Sequence, residues 1–88
     1  MRENGGGFDG RSYVVLGATG GIGRAVAERL AGAGARLVLG ARSEDELEAL
    51  ADELGAVAHP LDAREFGEVD EVIDRAVEEH GGLDGVVN

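Results

Sequence analysis

The residues best suited to chemistry lie in a glycine-rich segment near the N-terminus. It runs from Leu16 to Gly23, follows an apolar stretch and precedes residues with helical spacing. Glycines between a strand and a helix let bare backbone N–H groups, at the positive end of the helix dipole, approach a phosphate. They also permit a tight turn and close packing of the helix on the strand. The segment therefore predicts a nucleotide site, which comprises Gly17, Thr19, Gly20, Gly21, Ile22 and Gly23.

A second candidate site follows the second apolar stretch, which ends in Ala41-Arg42-Ser43. In dinucleotide-binding folds an acidic residue at this point binds the free 2′-hydroxyl of NAD. Arg42 could instead form charge-assisted bonds with a 2′-phosphate, and Ser43 would add a hydrogen-bond donor. The alternative is an exposed Arg42 that pairs with one of the acids at 44–46. The missing acid favours the phosphate role.

Asp62 follows the third apolar stretch and could accept a hydrogen bond from an adenine amino group. It could equally be the N-cap of the next helix, and the two roles are compatible. Arg24 is interpreted as a solvated surface residue rather than a cofactor ligand. His59 and His80 have no partner pattern that indicates a catalytic triad, and no metal site is predicted.

The elements that must position these residues alternate between strand and helix. Strands are predicted at Tyr13–Leu16, Arg36–Ala41, Ala56–Leu61 and Leu83–Val87, and helices at Ile22–Gly32, from the N-cap Ser43 to Leu54, and from about Arg64 to Glu79. This alternation predicts an α/β fold: the first half of a Rossmann-type, doubly wound parallel sheet, with strand order 3-2-1-4 and three helices. Residues 1–10 are predicted to be a flexible tail, and residues 11–88 a partial dinucleotide-binding domain truncated at the fourth strand.

Apolar periodicity predicts the buried face of each helix. The three stripes are Ile22, Ala25, Val26, Leu30 and Ala33; Leu47, Leu50, Ala51 and Leu54; and Phe66, Val69, Ile73, Ala76 and Val77. Ser43 and Glu46 have the spacing of a capping box, and Gly55 is the predicted stop of the second helix. Glu71 and Arg75 are expected to pair across one helical turn.

Composition restricts the possible partners. The 88 residues contain no cysteine, and 18 acidic against 8 basic residues give a net charge of −10. All eight basic residues are arginine. Such an acidic field disfavours nucleic acid and anionic membranes as partners, and no apolar run approaches the roughly 20 residues that span a bilayer. Without a secretion signal in the sequence, the expected location is cytoplasmic.

The motifs together resemble the short-chain dehydrogenase/reductase family. Its motif Thr-Gly-x-x-x-Gly-x-Gly is matched at Gly17, Gly21 and Gly23, with Leu16 in place of threonine, and the segment Leu83–Asn88 also fits. The resemblance implies NADP(H) as cofactor, in preference to NAD. It places Asp62 and Ala63 at the adenine, and makes Asn88 the first residue of the family's Asn-Asn-Ala-Gly segment beside the cofactor. Because Gly20 stands where some NADP-preferring members carry a basic residue, that preference depends mainly on Arg42.

The family's catalytic residues are a Ser and a Tyr-x-x-x-Lys pair, all beyond the position of Asn88. This chain has no lysine, and its only tyrosine is Tyr13 in the first strand. The sequence therefore predicts a cofactor-binding portion that is inactive alone, whose full-length form would transfer hydride between NADP(H) and a carbonyl or alcohol. A non-catalytic nucleotide-binding or regulatory module, and a structural fragment, are the alternatives. An open edge at the fourth strand predicts a homo-oligomer.

Overall fold

Four parallel strands form one sheet in the order β3-β2-β1-β4. The computed structural model describes residues 9–62 and 66–88, the side chain of Phe66 excepted. The elements in chain order are β1 (Ser12–Leu16), α1 (Gly21–Gly32), β2 (Arg36–Ala41), α2 (Glu44–Leu54), β3 (Val57–Pro60), α3 (Phe66–His80) and β4 (Gly85–Val87). The predicted fold class, strand order and number of helices are confirmed. The start of α3 near Arg64 and most of the predicted tail lie outside the described residues.

The core has one layer on each side of the sheet, because alternate strand residues face opposite ways. Val15 and Leu39 pack against α1 and α2, in a cluster that includes Ala27 and Leu47. On the other side of the sheet, α3 covers the strands and forms a second apolar cluster with them. That second cluster comprises Val14, Leu16, Val38, Leu61, Val72 and Ala76. Helices on both faces of a parallel sheet are the arrangement that the alternating sequence predicted.

The predicted buried faces of α1 and α3 need correction. In α1, Ala27 is fully buried, whereas Ile22 is 85% exposed. In α3, Ala76 is buried as predicted, but Val72 is also fully buried and Val77 is 47% exposed. Each helix carries apolar residues around more than one face. Contact with the sheet therefore selects the buried face, which periodicity alone does not define.

Two local predictions about side chains are also wrong. Ser43 is the N-cap of α2 but forms no side-chain capping bond, so the predicted capping box with Glu46 does not form. Arg75 pairs with Glu79, with 3.0 Å between Nε and Oε2, and not with Glu71. The predicted end of α2 is confirmed, since Gly55 adopts the left-handed conformation with φ 68° that glycine accommodates without strain.

Hydrogen bonds close the end of the sheet at which the strands begin. The Ser12 N–H donates to Asp84 Oδ2 at 2.8 Å, and the Asp84 N–H donates to the Ser12 carbonyl at 2.7 Å. The Gly10 N–H donates to the Gly34 carbonyl at 3.0 Å, which ties residue 10 of the predicted tail to the turn before β2. In the part of the chain that the structure describes, no helix is both long and apolar enough to cross a bilayer.

Candidate functional site

The glycine-rich loop leaves β1 at Gly17 and turns tightly into α1. Gly17 has a φ of 67°, in the left-handed region that favours glycine. Its carbonyl accepts the Gly20 N–H at 3.0 Å, which closes the turn. The Ala18 N–H donates to the Gly40 carbonyl of β2 at 3.1 Å. The loop is therefore fixed both internally and to the neighbouring strand.

Gly23 is required for a different reason, which is the close approach of α1 to the loop. A Cβ at position 23 would collide with the carbonyl oxygen of Gly17 and come within 3.2 Å of the Ala18 Cα. The obstacle is backbone and cannot move aside as a flexible side chain would. Only glycine lets the first turn of α1 lie against the end of β1.

The N-terminus of α1 offers a favourable environment to an anion. The first N–H groups of a helix lack intrahelical partners, and the helix dipole places partial positive charge there. The N-cap residue, Gly20, has no side chain with which to cap them, and the first turn contains no acidic residue. Ile22 in this turn is exposed. The backbone of Gly21, Ile22 and Gly23 therefore faces a region that a phosphate group could occupy.

A cleft of about 400 Å³ opens beside this loop, at the carboxyl ends of β1, β2 and β3. Ligands of open α/β sheets bind at this edge. Its lining brings together five of the predicted site residues with three that sequence reasoning did not assign to the site. The lining residues are Gly17, Thr19, Gly40, Ala41, Arg42, Ser43, Leu61 and Asp62.

Arg42 contributes the only positive charge among the residues that line the cleft. It follows the last residue of β2 and is exposed. None of the acids at 44–46, which are all described, forms an ion pair with it. The alternative in which these acids neutralise Arg42 is therefore not what the structure shows. The guanidinium group is available to an anionic ligand.

Asp62 stands on the wall of the cleft formed by the end of β3. It is half-buried, and its N–H donates to Glu68 Oε1 of α3 at 3.1 Å. The bond from the Leu61 N–H to the Ala41 carbonyl, at 3.0 Å, continues the pairing of β2 with β3 up to this point. Ala63, the second residue predicted at the adenine, lies outside the described residues, and so does the turn in which Asp62 would act as N-cap.

The cleft does not include every predicted residue. Gly20, Gly21, Ile22 and Gly23 lie in the adjoining turn and the start of α1, while the exposed Asn88 follows β4 on the far side of β1. The lining residues that were missed are Gly40, Ala41 and Leu61. A glycine inside a strand was an available signal: a Cβ at position 40 would lie 2.5 Å from Leu61 Cδ2, so Leu61 packs where that side chain would be.

Arg24 has the surface role that the sequence indicated. Its Nε lies 3.2 Å from Glu28 Oε2, and its Nη2 lies 3.3 Å from Glu53 Oε1 of α2. These bonds occupy the guanidinium group outside the cleft. Among the described residues, no group of three or more His, Asp or Glu side chains could hold a metal ion.

A parallel sheet of order 3-2-1-4, with a glycine loop and a cleft at its carboxyl edge, defines a dinucleotide-binding α/β protein of the Rossmann type. The model of one such family, described as short chain dehydrogenase, matches residues 11–88. The chain belongs to the short-chain dehydrogenase/reductase family, whose members bind a nicotinamide dinucleotide.

Individual relatives support this assignment. The chain is 46% identical over 85 residues to 1,6-dihydroxycyclohexa-2,4-diene-1-carboxylate dehydrogenase of Pseudomonas putida, covering 92% of this chain and 31% of that protein. It is 37% identical over 83 residues to 3-oxoacyl-[acyl-carrier-protein] reductase of Escherichia coli, covering 92% and 34%. A short-chain dehydrogenase/reductase structure from Brucella melitensis superposes with a TM-score of 0.85 at 36% identity, covering 90% and 35%. The chain thus spans about a third of the length of these relatives.

Proposed function

We propose that this chain binds NADP(H) in the cleft at the carboxyl edge of the sheet, in preference to NAD(H). The observation that carries the proposal is Arg42, a cation without an ion-pair partner among the described residues, at the end of β2. Ala41 precedes it, so the acid that would bind the 2′-hydroxyl of NAD is absent. A 2′-phosphate beside Arg42 and Ser43 would receive charge-assisted hydrogen bonds.

Positions for the other parts of the cofactor are proposed from the neighbouring elements and from the family resemblance. The pyrophosphate is proposed to lie against the N–H groups at the start of α1, where Gly17 and Gly23 bring loop and helix together. Asp62 is proposed to accept a hydrogen bond from the adenine amino group. Ala63 is proposed beside the adenine and Asn88 beside the nicotinamide half, as the family resemblance implies.

The proposed reaction of the full-length form is hydride transfer between NADP(H) and a carbonyl or alcohol. The names of the relatives include both a dehydrogenase and a reductase, so they support the reaction class and not one substrate. The 88 residues contain no lysine, and Tyr13 lies half-buried within β1. We therefore propose that these residues hold the cofactor and do not catalyse hydride transfer by themselves. A cytoplasmic location and a homo-oligomeric state also stay predictions.

The second candidate is a nucleotide-binding module without catalytic activity. It would use the same cleft and would lack the general acid/base that the family forms from a Tyr-x-x-x-Lys pair. The two candidates share the cofactor and differ only in the residues that complete the protein. A Ser and a Tyr-x-x-x-Lys pair in the parent gene would support the enzyme, and their absence would support the module.

Titration with NADP⁺ and NAD⁺ by calorimetry tests the cofactor assignment. In the Arg42→Ala variant the affinity for NADP⁺ should fall by about 10- to 100-fold, the equivalent of one or two charge-assisted hydrogen bonds. The affinity for NAD⁺ should stay within about twofold. Arg36→Ala is a matched control, since Arg36 is also exposed and lies on β2, but at the opposite end of the strand.

Each outcome of the titration bears on a different part of the proposal. Equal affinity of the wild-type chain for both dinucleotides would exclude the role of Arg42 at the 2′-phosphate. A loss of NADP⁺ affinity in Arg36→Ala as large as that in Arg42→Ala would indicate a general effect of removing positive charge. No binding of either dinucleotide would contradict the proposed function of the isolated chain.

A further inference from the structure

The hydrogen bond between Asp62 and Glu68 joins the cleft to α3. Glu68 lies in the first turn of α3, and its Oε1 accepts the Asp62 N–H at 3.1 Å. Both residues are half-buried. A hydrogen bond to a carboxylate in partly desolvated surroundings is stronger than one between neutral groups in water. This contact therefore restrains the backbone at Asp62.

The bond to Glu68 restrains the chain immediately after the last residue that is hydrogen-bonded to β2. The Leu61 N–H still bonds to the Ala41 carbonyl of β2, and the Leu61 side chain is 5% exposed in the core. β3 ends at Pro60, so the next N–H, that of Asp62, lies beyond the strand pairing. Glu68 supplies its acceptor. Two successive residues are thus fixed, the first by β2 and the second by α3.

We propose that Glu68 is a positioning residue for base recognition: it holds Asp62 so that the Asp62 carboxylate reads the adenine amino group. This inference rests on the proposed function, because it requires a dinucleotide in the cleft. Glu68 itself does not touch the cofactor. Its effect is on selectivity for the base, whereas Arg42 acts on the 2′-phosphate at the end of the neighbouring strand.

Adenine and hypoxanthine distinguish this role from simple affinity. The 6-amino group of adenine donates a hydrogen bond to a carboxylate. Hypoxanthine carries a 6-oxo group instead, and a carboxylate repels its oxygen. A site that depends on one such hydrogen bond discriminates between the two bases only while its acceptor stays within bonding distance. Loss of the Glu68 contact should therefore reduce discrimination between the two bases and leave the contacts to the 2′-phosphate intact.

The test compares the dissociation constants of NADP⁺ and nicotinamide hypoxanthine dinucleotide phosphate for the 88-residue chain. The wild-type chain should bind the adenine form about tenfold more tightly, as expected for one hydrogen bond. In Glu68→Ala this ratio should fall to about threefold or less, since the bond from Glu68 to the Asp62 backbone is lost. Glu68→Gln, which keeps an acceptor oxygen, should restore most of the ratio. Glu71→Ala removes an exposed acid of the same helix and should not alter it.

A purely structural role for Glu68 would lower thermal stability in Glu68→Ala without changing the ratio, and that result would overturn the proposal. So would a ratio that falls equally in Glu71→Ala. Failure of the wild-type chain to bind NADP⁺ would instead contradict the proposed function. If Glu68→Ala does not fold, hydrogen exchange of the wild-type chain decides: the Asp62 amide should be protected, and unprotected exchange would exclude the restraint.

Discussion

Different physical constraints select Gly17, in the glycine-rich loop, and Gly23, in the first turn of α1. Gly17 has a positive φ and nothing within 4 Å of its missing Cβ, so its constraint is conformational. Gly23 has helical backbone, and its constraint is the Gly17 carbonyl next to it. Their spacing in the sequence predicted a phosphate loop, and the structure adds which atom excludes a side chain. Sequence alone could not identify that atom, because the contact depends on how α1 meets β1.

Replacement of Gly23 by alanine should destabilise the fold. The new methyl group would displace the start of α1 from the Gly17 carbonyl, at a cost of about 2–3 kcal/mol in the free energy of unfolding. Urea denaturation followed by circular dichroism measures the change. Gly21→Ala is the matched control, since a Cβ there has nothing within 4 Å and alanine favours a helix. Equal destabilisation of the two variants would contradict the steric explanation.

Among the elements, the order and type of strands and helices followed from the sequence, whereas the rotation of the helices did not. Alternating apolar strands and amphipathic helices specified a parallel sheet and right-handed crossovers. In α3, however, Val72 and Val77 are both apolar, and only packing on Val14 and Val38 selects Val72 for the core. The residues around the cleft were likewise predictable only in part. Arg42 and Asp62 were found from their positions after strands, but Glu68 depends on the approach of α3 to the end of β3.

The end of α3 is attached to β2 through His80. Its Nε2 lies 3.3 Å from the Leu37 carbonyl oxygen, to which the protonated nitrogen donates. His80→Ala should lower the free energy of unfolding by about 1 kcal/mol, the usual net contribution of one hydrogen bond. Glu78→Ala, an exposed position of the same turn, should change it by less than about 0.5 kcal/mol. Urea titration of both variants checks the difference, and equal values would mean that the bond contributes nothing.

The whole molecule combines a strong negative charge with an open sheet edge. In the described sheet β4 pairs only with β1, which leaves its outer edge without a strand. Val86 of β4 and Val77 of α3 are 44% and 47% exposed. Unpaired strand edges and exposed apolar residues promote association, whereas the net charge of −10 opposes it.

We expect the 88-residue chain to form a dimer or larger assembly at concentrations of tens of micromolar. Salt should strengthen the association, because it screens repulsion between acidic copies. Light scattering measures the mass at low and moderate ionic strength. Val86→Lys places a charge at the edge and should shift the chain toward monomer, while Ala49→Lys adds the same charge on the exposed side of α2 and should not. A monomeric wild-type chain at these concentrations would contradict the prediction.

The position of β4 beside β1 also determines the order in which the four described strands can pair during synthesis. Val14 pairs with Val86, and the Ser12–Asp84 bond likewise spans 72 residues. β1, α1 and β2 can assemble from a short nascent segment, but one side of β1 has no partner until Gly85–Val87 leave the ribosome. Parallel pairing across so long a separation closes slowly. Of the four strands that the structure describes, β1, which carries the glycine loop, is thus made first and gains its second neighbour last.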